Sequence, residues 1–160
     1  MRELDDGTKQ WTFEGRCTGD YKFGRAGTGR EQIGVLFEVL DGPWSGAKPV
    51  WYGTLESDAA IELARAALEA ASGQAIKSWA EFFRGSTPRG NMLHLEALAK
   101  ERVLLVFEKR EQDEKPRLCF INRVGIPMRD ELDARGVDRL LRNLDSQHVE
   151  RERMREVAGA

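Results

Sequence analysis

Lys9-Gln10-Trp11-Thr12-Phe13-Glu14-Gly15-Arg16-Cys17-Thr18-Gly19-Asp20-Tyr21-Lys22-Phe23 is the stretch on which the fold turns. Trp11, Phe13, Gly15 and Cys17 fall on one side of an alternation, with Thr12, Glu14, Arg16 and Thr18 on the other. A period of two belongs to a β-strand with one face buried. Gly15 and Gly19 mark places where that strand bends or bulges. Beyond it, Gly24-Arg25-Ala26-Gly27-Thr28-Gly29-Arg30 is glycine-rich, carries no apolar side chain larger than Ala, and reads as a loop. Ile33, Val35, Phe37 and Val39 share one face of a second strand, which stops at the turn Asp41-Gly42-Pro43. A third strand runs from about Lys48 to Leu55 around the β-favouring Val50-Trp51-Tyr52.

At Ser57 the period changes. Ser57 is a helix N-cap and Asp58 suits the positive end of the helix dipole. Ile61, Ala64, Leu68 and Ala71 form one apolar stripe, and Gly73 fits a left-handed C-terminal cap. Residues 74–92 are irregular, with a short helix around Trp79, Phe82 and Phe83. Leu93–Leu98 add another helical turn. A fourth strand covers Val103–Phe107, a charged loop covers Lys109–Pro116, and a fifth strand covers Leu118–Val124, ended by Gly125 and Pro127. The tail from about Val137 to Val157 is helical; Val137, Leu140, Leu141 and Leu144 make a short apolar stripe, and beyond Asp145 the tail is almost wholly polar and frays or meets a partner.

Three strands, a helix and two further strands are the order of a five-stranded OB-fold Greek-key barrel, with the Ile61/Leu68 face of the helix closing one end. The expected fold is thus mainly β: an OB domain over 9–126 that contains the 74–92 insertion, then a helical extension over 127–160. The competing architecture is another small α+β sheet with the helix on one face.

The chain's 160 residues suit one domain of this kind. A net charge of −2 excludes a uniformly basic surface but leaves room for a local basic groove. No apolar run approaches the ~18 residues of a membrane span. The polar start Met1–Gly7 lacks an apolar signal core, so a cytoplasmic protein without membrane attachment is expected. Cys17 and Cys119 do not make a disulfide framework and are expected as packing residues.

Phe13-Glu14-Gly15-Arg16, Phe37-Glu38-Val39, Asp41-Gly42-Pro43-Trp44-Ser45-Gly46, Trp51-Tyr52-Gly53-Thr54-Leu55 and Phe120-Ile121-Asn122-Arg123-Val124-Gly125 occur in this order. In that order and spacing, residues 11–125 resemble the OB-fold single-stranded-DNA-binding proteins of bacteriophages and related mobile elements. The resemblance implies sequence-tolerant binding of single-stranded DNA during replication, recombination or repair. In two respects the chain departs from that pattern: residues 74–92 are longer than the usual connection, and the chain ends Val157-Ala158-Gly159-Ala160 rather than in an acidic tip with a terminal aromatic.

Single-strand binding needs flat side chains for bases and cations for phosphates. Trp51 and Tyr52 are neighbours on the third strand and point to opposite faces, so one is core and the other is exposed. Tyr52 is the favoured stacker, because Trp51 shares its side with Gly53 and Leu55. Trp44 is a lid over the barrel end or a binding residue, and Phe23 borders the first loop. Phe37 and Phe120 are read as core. Arg16, Lys22, Arg25 and Arg30 face only Asp20 within residues 16–30, a local charge of +3 suited to phosphates. Lys48, Arg117 and Arg123 extend the track if their strands face the groove. No nucleophile–base pair, phosphate-binding loop or zinc spacing occurs, so neither catalysis nor a metal or other cofactor is expected. The alternative function is an OB-fold protein-interaction module, with the tail pairing to a replication or recombination protein or to a second copy; double-stranded DNA or RNA on the same barrel is a weaker third.

Overall fold

The computed structural model describes residues 1–124 and 134–159. The chain divides into two units, Met1–Ile126 and Pro127–Ala160. The first is mainly antiparallel β. Its strands are β1 (Arg2–Glu3), β2 (Lys9–Arg25), β3 (Glu31–Val39), β4 (Val50–Thr54), β5 (Thr87–Arg89), β6 (Met92–His94), β7 (Arg102–Lys109) and β8 (Arg117–Arg123), with helices α1 (Asp58–Ser72) and α2 (Trp79–Phe82). The second unit holds α3 (Ala134–Gly159), which begins before the expected Val137. Gly125 and Pro127, expected to end the β region, lie outside the described residues.

β2 organises the sheet. Its first half pairs with β7 from Lys9↔Lys109 to Arg16↔Arg102, while β3 runs along its other edge from Gly15↔Val39 to Arg25↔Glu31. Between Cys17 and Tyr21 the β2/β3 register shifts, and Gly19 there has φ +95°. The alternation resumes beyond this bulge, so Gly15, Cys17 and Tyr21 all face inward. β3 pairs with β4 and β7 with β8, giving the path β4-β3-β2-β7-β8. The two ends of the path come side by side, where the Trp51 indole N–H donates to the Cys119 carbonyl at 3.1 Å. Among the described residues no ladder joins them.

α1 is set by its caps. Ser57 Oγ accepts from Ala60 N at 3.1 Å, and Gly73 closes the helix at φ +70°. Ala64, Leu68 and Ala71 are buried as the stripe predicts, and the helix lies against β8 and β4. The core joins this face to Ile33, Val35, Phe37, Val39, Trp51, Leu105 and Ile121.

Several expectations need correction. Residues 74–92 hold the expected short helix, α2, but also β5 and the start of β6. Leu93–His94 are strand rather than helical turn, because β6 pairs with β2 at Asp20↔His94 and Tyr21↔Leu93; the helical turn starts later, as a 3-10 turn over Glu96–Ala99. Phe120 is 37 % exposed rather than core. The β7/β8 register shifts between Val106↔Phe120 and Phe107↔Leu118, placing an extra residue in β8. Leu118 and Ile121 then both face inward and Phe120 turns out. By the same shift Cys119 is half-buried, whereas Cys17 is fully buried. Finally, β1 adds a short strand ahead of residue 9, paired to β2 at Arg2↔Gln10.

Candidate functional site

Position on β4 separates the two neighbouring aromatics. Trp51 is 6 % exposed and Tyr52 is 61 % exposed. Trp51, named among the candidate binding residues, is therefore a core residue, which meets the surface only where it lines the seam between β4 and β8. Tyr52 lies opposite Gly34 on β3. A Cβ on Gly34 would sit 3.2 Å from the Tyr52 ring, so the ring leans on backbone that carries no side chain and is held outward.

Three clefts meet at Tyr52. One, of about 290 Å³, lies toward Lys22, Arg25, Gln32, Asn91 and Met92. A second, of about 450 Å³, lies toward Gly27, Gln32, Arg117 and Cys119. The third, of about 210 Å³, is the seam between β4 and β8, reaching Phe120 and Asn122 and bounded by Leu63 of α1. Lys22, Arg25 and Arg117 are exposed. The arrangement thus places an exposed ring among three cations and beside a second exposed ring, Phe120.

The other expected residues lie elsewhere. Trp44 is half-buried, with ring centroids 5.3, 5.0 and 5.2 Å from Trp11, Phe13 and Phe107, so it packs in an aromatic cluster and does not line the clefts at Tyr52. Phe23 is 46 % exposed but turns to an apolar groove with Leu55, Ile61, Trp79, Ala80 and Phe83. Its ring lies 5.3 Å from Phe83 and 5.7 Å from Tyr21, whose hydroxyl donates to Ser86 Oγ at 2.6 Å. Arg16 and Arg123 come together, but in a different cleft, with Lys100, Glu101 and Arg102. Arg30 and Lys48 are exposed and are not among the residues lining the three clefts at Tyr52.

Sequence reasoning missed Phe120, Asn91 and Met92. A register shift in β8 exposes the first. The latter two arrive on the β5–β6 hairpin, whose short strands carry almost no periodic signal.

His94 pins that hairpin to the bulge of β2. Its Nδ1 lies 2.8 Å from Asp20 Oδ1 and its Nε2 2.9 Å from Glu96 Oε2, while Arg89 NH1 is 3.7 Å from Asp20. Hydrogen bonds to Glu96, then to Asp20, raise the imidazole above its ordinary 6.5 against the opposing effects of burial and of Arg89. Burial pushes the Cys17 thiol up to about 12, which leaves it inert as a nucleophile. Burial, then Glu108, also raises Cys119. Among the described residues no three His, Cys, Asp or Glu side chains gather as a metal-binding group, and no helix is long and apolar enough to cross a membrane. Comparison with protein-family models, with curated proteins and with solved structures finds no match.

Proposed function

We propose that the first unit is a partly open OB barrel that binds single-stranded DNA with little sequence preference, in the replication, recombination or repair of a phage or mobile element. The strand path β4-β3-β2-β7-β8, with its ends side by side and α1 inserted between β4 and β7, supports the barrel. The observation that carries the function is the exposed Tyr52 at the meeting point of three clefts, with Lys22, Arg25 and Arg117 around it. A ring stacks on any base, and cations track any phosphate, so this chemistry is tolerant of sequence. It supplies binding and makes or breaks no bond.

Fluorescence anisotropy with labelled oligothymidylate and a mixed-sequence strand of equal length tests the reading. The expected result is similar affinity for both, falling as salt rises by about 0.7 log units per decade for each phosphate contacted. Absence of binding at low salt and micromolar protein overturns it.

A second reading, an interaction module, draws on α3 and on the Phe23 groove. Val137, Leu140, Leu141 and Leu144 are exposed on α3, and the groove is lined wholly by apolar side chains. In that reading the full chain self-associates through α3 and binds no DNA. Light scattering on the full chain and on a chain lacking Pro127–Ala160, run beside the DNA titration, separates the two.

A further inference from the structure

β8 passes three clefts in succession. Arg117–Cys119 line the one shared with Tyr52 and Gly27, Cys119–Asn122 line the seam with β4, and Arg123 and Val124 line a cleft of about 490 Å³ near the end of α1. In the last cleft Arg16, Lys100, Arg102 and Arg123 face Glu101. Arg16 and Arg102 are cross-strand partners. Like charges directly opposite on a sheet are unfavourable without a compensating anion. Arg102 has one in Glu14, at 3.1 Å. Arg16 has Glu38 as its partner on β3. The local charge stays positive after Glu14, Glu38 and Glu101 are all counted. Phe120, exposed by the β8 bulge, shares the seam cleft with Tyr52 and precedes Arg123 along β8.

We infer that the bound single strand continues along β8, from Tyr52 over Phe120 to the Arg16/Lys100/Arg123 cleft, so that Phe120 is a second stacking platform and this cleft a second phosphate-holding end. The inference rests on the single-strand reading above. The span from Arg117 to Arg123 is roughly 20 Å at the usual strand rise. A ligand must therefore be long enough to use both ends, and the two ends become separable by oligonucleotide length.

Oligothymidylates of about 4 and about 16 nucleotides, the usual limits of one OB barrel, are titrated by anisotropy. The proteins are the full-length chain, an Arg16→Gln/Arg123→Gln double variant, Phe120→Ala, and Tyr52→Ala as the control at the first end; circular dichroism melts check folding. The double variant is expected to lose about tenfold in affinity for the long strand, to keep its affinity for the short one, and to shallow the salt slope by about 1.4. Phe120→Ala is expected to weaken the long strand by at least about fivefold. If both variants bind the long strand as the unaltered chain does while Tyr52→Ala weakens it, the Tyr52 site stands and the β8 track falls. If the unaltered chain binds neither strand, the single-strand reading itself falls and takes the track with it.

Discussion

The two halves of β2 carry the same alternation and meet different fates. From Lys9 to Arg16 the strand is paired with β7, with β3 joining its other edge at Gly15, and Trp11 and Phe13 interlock with Trp44 and Phe107 at ring separations of 5.0 to 6.2 Å. Past Gly19, β7 has left the strand and β6 pairs with it only at Asp20 and Tyr21. There Phe23 is half in water and Lys22 and Arg25 are exposed. A strand's own pattern says which side chains share a face. Whether a face is covered depends on where the neighbouring strands stop: in the open half Phe23 turns to its apolar groove, while Lys22 and Arg25 line the cleft at Tyr52.

The largest expected effect lies in the covered half. Phe107→Ala removes a buried ring that touches both Phe13 and Trp44, and should cost about 3–5 kcal/mol of stability in urea denaturation. Oligonucleotide affinity measured well below the melting range should stay the same. Loss of affinity in a folded Phe107→Ala protein would break the division into a structural and a binding half. Tyr52→Ala should do the reverse. It is expected to weaken oligothymidylate binding by about 1–3 kcal/mol while shifting stability by no more than about 0.5 kcal/mol. A large stability loss with affinity intact would return Tyr52 to the structural side.

How much of this was legible in the sequence follows from the kind of signal each element leaves. The long strands and α1 stand where period two and the Ser57/Gly73 caps put them, since burial of one face forces the pattern. The core position of Trp51 and the exposure of Tyr52 follow from parity once Gly53 and Leu55 are assigned inward. Phe120 was misplaced because one extra residue in β8 inverts parity, and a bulge without glycine has no local signature. The β5–β6 hairpin was missed because Thr87–Arg89 and Met92–His94 are too short to show a period. Clustering of cations is a property of the folded sheet and not of any one segment. Arg16 and Arg25 lie on one strand but line different clefts, so a summed loop charge could not separate them.

The bulge that parts the two halves gives the next effect. Gly19 has φ +95°, a conformation that costs an L-residue about 1–2 kcal/mol, and a Cβ there would also run into the His94 ring. Gly19→Ala should therefore lose at least that much in urea denaturation. Wild-type stability in that variant would mean that the bulge is not what redirects β2.

The smallest effect concerns the contact that holds the hairpin at the bulge. His94 is raised above 6.5 by Glu96 and Asp20, so the folded state holds this proton more tightly than the unfolded chain does. The resulting stabilisation is fully present below about 6.5 and is lost as pH rises through the higher folded value. The melting temperature should accordingly fall as pH rises across neutrality, and His94→Gln should flatten that limb and lie below the unaltered chain only on its acid side. The effect is small because Glu96 is largely in water, where an ion pair is screened. Asn91 and Met92 reach the Tyr52 cleft on this hairpin, so the same variant also probes how far the open half depends on it. Oligothymidylate affinity that keeps its value in His94→Gln while the pH limb flattens assigns the imidazole to stability alone; a parallel loss of affinity makes the hairpin part of the binding surface.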